Sequence, residues 1–164
     1  MTVAMLIIDM QVGFIGDEKR KDDVRVASEY INYSANLLRR SGHIVVHVQD
    51  EDVEGGRESS NYEIVPSIER ASGDLYVNKK WSNSFWNTEL ESMLKERGVR
   101  YVIVSGFAAE HCVLFTYNGA SERGFSPAVL QRGVIGEREG SAETLQRDRA
   151  VISHNVIGWL TEKR

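Results

Sequence analysis

Cys112 stands in the run Ser105-Gly-Phe-Ala-Ala-Glu-His-Cys-Val113 and is the one cysteine of the chain. A lone thiol can fill a core, be oxidised or act as a nucleophile, and its surroundings decide which. Val113, Thr116, Tyr117 and Ala120 follow at helical spacing, so the thiol is expected at or near a helix N-terminus. There the helix dipole and free amides would favour the thiolate, and the same amides could hold an oxyanion. Gly106 would permit a tight approach of the loop. Asp9 directly follows the apolar residues Met5 to Ile8. A carboxylate so placed could cap a turn or act as a general base whose pKa burial raises. Lys79 and Lys80 precede Trp81, Phe85 and Trp86. Either lysine could be a solvated surface amine. Against that apolar wall an ammonium would instead favour the ionised forms of a nearby thiol and carboxylate. His111 beside the thiol raises a Cys–His pair, although neighbours at a helix start point in different directions. His43 and His47 sit at the two ends of one strand pattern and read as structural.

These groups need elements that bring them together. Val3 to Ile8 is a continuous apolar run, as in a strand buried on both faces. Ala27, Tyr30, Ile31, Ser34, Leu37 and Leu38 make one helical face, Gly42 stops it, and His43 to Val48 reads as a strand. The unit recurs. Leu90, Met93 and Leu94 form a face behind a Thr88/Glu91 capping box, Gly98 stops it, and Val99 to Val104 is a strand. The helix after Cys112 ends at Gly124 before Phe125 to Leu130. Further helices are expected over 142–148 and 157–162, and a short one near Tyr62 to Ile68 in the polar stretch 50–74. Gly55-Gly56-Arg57 reads as a turn.

Six strands are expected, near 3–8, 43–48, 75–77, 100–105, 127–131 and 150–152. Helix, glycine and strand in repetition specify βαβ units. The fold class is therefore α/β: a three-layer, doubly wound, Rossmann-like domain with a six-stranded parallel sheet, occupying 1–164 as one domain. In such a sheet ligands bind beyond the carboxyl ends of the strands. Asp9, Lys79 or Lys80, and Cys112 all fall at that edge.

The 164 residues carry 20 basic and 24 acidic side chains, a formal charge of −4. That balance excludes a nucleic-acid surface built on bulk charge. Two prolines and 41% apolar residues exclude a low-complexity chain. One cysteine excludes an internal disulfide and a cysteine-rich zinc site. No compact metal-ligand spacing, G-x-G-x-x-G or P-loop occurs, so no metal and no other cofactor are expected. The run Val3 to Ile8 is too short to span a bilayer and lacks a basic leader region. A cytoplasmic protein with a small-molecule substrate, without nucleic-acid or membrane partners, is expected.

In order along nearly the whole chain, the motifs resemble the isochorismatase-like cysteine hydrolases, a superfamily that includes nicotinamidases and N-carbamoylsarcosine amidohydrolases. Leu6-Ile-Ile-Asp-Met-Gln-Val-Gly-Phe14 resembles the opening strand with its catalytic aspartate, Asp9. Val77-Asn-Lys-Lys-Trp-Ser-Asn-Ser-Phe85 resembles the lysine segment, in which the lysine lies six residues before the phenylalanine; this selects Lys79. Val102 to Val113 resembles the nucleophile loop. The resemblance implies an Asp9–Lys79–Cys112 triad and a non-proline cis peptide at Phe107–Ala108 that would aim the Ala108 amide, with that of Cys112, at an oxyanion. It also implies a homo-oligomer, a dimer or tetramer. Where metal-binding nicotinamidases carry Asp-x-His, this chain reads Asp50-Glu-Asp-Val-Glu54, which implies no metal-assisted pyridine binding. Ala109 replaces a common threonine, and Arg132-Gly133 replaces a usual Asp-Ala. A cysteine at 112 disfavours true isochorismatase chemistry.

The expected function is thus hydrolysis of the C–N bond of a small amide, carbamoyl or ureido compound through a Cys112 thioester. Phe14, Trp81 and Trp86 are candidate substrate walls, with core or oligomer interface as the alternative, and Gln11 is a candidate polar contact. The alternative functions are a non-catalytic binding or scaffolding member and a thiol-based redox sensor.

Overall fold

The computed structural model describes residues 2–161. Six strands form one all-parallel sheet in the order β3-β2-β1-β4-β5-β6: β1 (Thr2–Ile8), β2 (Ile44–Asp50), β3 (Leu75–Lys79), β4 (Val99–Phe107), β5 (Ser126–Ile135) and β6 (Val151–Ile152). The strand order reverses between β1 and β4, and a crevice opens at such a switch point beyond the carboxyl ends. The helices are α1 (Val12–Ile15), α2 (Lys21–Arg40), α3 (Leu90–Glu96), α4 (Leu114–Glu122), α5 (Ser141–Asp148) and α6 (His154–Thr161). Glu162, expected as the end of the last helix, lies outside the described residues. No helix among them is long and apolar enough to cross a membrane.

The unbroken apolar run of β1 is explained by the pleat. Ala4, Leu6 and Ile8 enter one buried cluster with Leu90 and Leu94 of α3, Ala120 of α4 and Leu145 of α5. Val3, Met5 and Ile7 enter the other, with Ile31 and Leu38 of α2 and Ile157 of α6. Alternate side chains serve opposite layers, which is why Val3 to Ile8 are apolar at every position.

Three local expectations fail. No helix forms over 62–68; a 3-10 turn covers Ser60–Tyr62, and the chain then runs alongside residues 10–12. Val12 N donates to Glu63 O at 2.8 Å and Val65 N donates to Met10 O at 2.9 Å. Pro66 disfavours helical backbone at Val65, which leaves these extended pairings as the alternative. The capping box is absent. The Thr88 hydroxyl donates to Ser84 O at 2.6 Å, and Glu91 turns to Lys95 and Arg123. β5 extends to Ile135 rather than ending near 131, with Arg132 at φ 61 and the pairing to β4 shifted between Val104 and Gly106.

Candidate active site

Asp9 is the first residue beyond β1. Its backbone adopts a positive φ of 51°, which Asp tolerates better than most residues, and its amide donates to Val48 O at 2.9 Å. The turn leaves the carboxyl buried, 1% exposed. Lys79 ends β3 on the same side as buried Val77, two residues earlier, and is 2% exposed. Lys80 points the other way, exposed and 3.8 Å from Glu51. Cys112 lies in a five-residue π-helical turn, Ala109–Val113, that leads into α4. Phe107–Ala108 is a cis peptide bond.

The Lys79 ammonium is the hub of the site. Its Nζ lies 2.9 Å from Asp9 Oδ2, 2.5 Å from Asp50 Oδ2 and 3.4 Å from Cys112 Sγ. An ammonium has three hydrogens to donate, and three acceptors are supplied. Ligand-type atoms of Asp9, Asp50 and Cys112 lie within 4.8 Å of one another, a spacing that could hold a metal ion. The ammonium already occupies a place among them as their cation.

Burial pushes the Asp9 carboxyl up against the pull of Lys79, leaving it at about 6. Burial also disfavours the charge on Lys79, but Asp9, Cys112 and Asp50 together hold the ammonium well above the usual lysine range. Burial, with the Asp9 charge, pushes the Cys112 thiol up to about 12, and Lys79 only partly opposes this. The expectation of a thiolate favoured by a helix N-terminus is therefore corrected. Desolvation and the Asp9 charge outweigh the Lys79 ammonium, and the resting site holds a thiol beside a carboxylate. Asp9 Oδ1 is buried with no hydrogen-bond partner, an acceptor left open inside the site.

The other expected site residues divide. Phe14 is half-buried and stacks on Phe107, with ring centroids 6.3 Å apart. Trp81 and Trp86 are more than half exposed. Gln11 is not a free polar contact. It is fully buried, and its amide is committed to the backbone of Asp50 and Tyr62. His111 turns away from the thiol to Glu137, 2.9 Å distant. His47 is buried against Asp74.

Three features escaped the sequence reading. Asp50 reaches Lys79, although nothing separates it from the acidic residues that follow except its place at a strand end. Glu110 accepts hydrogen bonds from the amides of Glu137 and Arg138 and from the Ser141 hydroxyl. Partial burial would raise its carboxyl, but these donors hold it down to about 2. It thereby ties the turn that carries Cys112 to the loop after β5. The Thr116 hydroxyl pairs with the Ser84 hydroxyl at 2.8 Å and accepts from its amide, which joins the segment after Lys79 to α4.

The model of the isochorismatase domain family matches residues 3–151. An uncharacterized isochorismatase family protein of Bacillus subtilis, YddQ, is 28% identical over 138 residues, covering 80% of this chain and 76% of its own. The ureidoacrylate amidohydrolase RutB of Caulobacter segnis is 23% identical across 98% of this chain and 82% of its own. The N-carbamoylsarcosine amidase of Thermoplasma acidophilum superposes with a TM-score of 0.82 at 22% identity, over 94% of this chain and 98% of that one.

Proposed function

The chain belongs to the isochorismatase domain family, and from that premise we propose that it is a cysteine hydrolase cleaving the C–N bond of a small amide, carbamoyl or ureido compound. The observation that carries this reading is the Asp9–Lys79–Cys112 contact set, in which Asp9 and Lys79 are buried and one Asp9 oxygen has no hydrogen-bond partner. Relatives named as an amidohydrolase and an amidase support the reaction class.

In the proposed cycle the Cys112 sulfur attacks the substrate carbonyl carbon while its proton passes to Asp9. The carbonyl electron pair moves onto oxygen, and the backbone N–H groups of Ala108 and Cys112 hold that oxyanion. Collapse breaks the C–N bond, Asp9 returns the proton to the leaving nitrogen, and a thioester remains. Water, deprotonated by Asp9, then attacks the thioester carbonyl and restores the thiol. Lys79 keeps its charge throughout and stabilises the negative charge exchanged between Asp9 and sulfur. A thiol-based sensor would need the low-pKa thiolate that burial at Cys112 opposes.

The test is intact mass and ammonia release after incubation with a panel of small amides and ureides. Substrate turnover with a thioester-sized mass increase is expected for the parent, and neither for Cys112→Ala. Lys79→Ala should lose turnover, whereas Lys80→Ala should retain it. Activity surviving in Cys112→Ala would falsify the assignment.

A further inference from the structure

Asp50 is the charged group of this site that the proposed cycle leaves without a part. Its position is built rather than incidental. The β2–β3 register sets Asp50 opposite Lys79, and the Glu51 amide donates to Lys79 O at 2.8 Å. Gln11 grips the Asp50 peptide from both sides. Its Oε1 accepts from Asp50 N at 2.7 Å, and its Nε2 donates to Asp50 O at 3.1 Å. The Asp50 carboxylate is then divided: Oδ1 accepts the Asp52 amide at 2.9 Å, and Oδ2 lies 2.5 Å from Lys79 Nζ.

The consequence is electrostatic. Lys79, Cys112 and Asp50 are the ionisable groups that act most strongly on Asp9. Glu51, the next acid along, turns instead to Arg57 and Lys80. One ammonium is thus shared by two carboxylates. An ammonium paired with Asp9 alone would stabilise the Asp9 anion more strongly and leave it a weaker base. We propose that Asp50, held by Gln11, is a positioning residue that draws the Lys79 ammonium partly away from Asp9 and so sets how strongly Asp9 pulls the proton from Cys112. This rests on the reading of Asp9 as the base for the thiol.

Because the chain has a single cysteine, iodoacetamide reports the site without any substrate. Its alkylation forms an S–C bond, expels iodide and sends the thiol proton through Asp9 to solvent. The reactive form is the minor tautomer with the proton on Asp9 and the charge on sulfur. Its population follows the first ionisation of the coupled pair, so the parent rate should rise with a midpoint at about pH 6. In Asp50→Asn the midpoint should move about one unit to lower pH, because Lys79 then faces Asp9 unshared. Asp50→Glu, which keeps the charge, should lie closer to the parent. Thermal melts establish that each variant is folded, and Asp50→Ser takes the place of Asp50→Asn if the latter does not fold.

A role for Asp50 confined to structure would change the rate without moving the midpoint. A midpoint that stays at the parent value in a folded variant lacking the carboxylate overturns the proposal alone. A parent midpoint near the ordinary thiol value of about 8.5 overturns the triad reading, and the proposal with it.

Discussion

At Cys112 two tendencies compete. The Lys79 ammonium favours a thiolate, whereas burial beside the Asp9 carboxylate favours the thiol. The second prevails, with the thiol pushed up to about 12. Reactivity then depends on the partner that can accept the proton, and Asp9 loses its own proton at about 6. The proposed enzyme should therefore show kcat/KM rising with pH through about 6 and remaining level past pH 9. Below pH 6 the base is protonated and cannot receive a second proton. Asp9→Asn should lower kcat/KM by about 10²–10⁴-fold and remove the acid limb. A rising limb centred near 8.5 instead would show the thiol titrating by itself and would sink the base assignment. Measurement of initial rates across pH 4.5–9.5 decides between them.

Among the elements, β1 and β4 must approach closely enough to bring Asp9 and Cys112 to one edge, and Gly106 permits it. Gly106 has φ +104°, and a Cβ there would sit 2.0 Å from Ile8 O. Gly106→Ala is expected to destabilise by more than about 3 kcal/mol, since neither strand backbone can yield without breaking the ladder. Gly98→Ala, at φ +65° with nothing within 4 Å, should cost only about 1 kcal/mol, from backbone strain alone. Urea melts of the two variants test the contrast, and equal losses would refute it. The helix–glycine–strand rhythm was legible because its signals are local: periodicity inside the element and a stop after it. The segment near residues 62–68 was not. Its spacing suits a short helix, but its amides pair with residues 10–12, which are distant in sequence.

For the molecule as a whole, the site is in tension with stability. The native state holds the Asp9 proton up to about pH 6, against an ordinary value of 3.8. Between those values the folded chain binds more protons at this group than the unfolded chain does. The contribution of Asp9 to stability therefore falls as pH rises through that window. Asn mimics the protonated acid, so Asp9→Asn should melt above the parent at pH 7–8, and the gap should close below about pH 4. Melting curves at both pH values check this; an Asn variant less stable than the parent at pH 7 would contradict it.

The fold class and the chain order Asp9, Lys79 or Lys80, Cys112 could be read without coordinates, and the family resemblance selected Lys79. Strand and helix periodicities are local, and a residue that directly follows a strand of a parallel sheet must reach its carboxyl edge. Two things could not be read this way. Asp50 looks like its acidic neighbours Glu51, Asp52 and Glu54 until the β2–β3 register sets it against Lys79. The protonation of Cys112 and of Asp9 depends on burial and on charges contributed by separate segments. Both are decided by tertiary structure, because desolvation and Coulomb interaction depend on distances through space, which spacing along the chain does not encode.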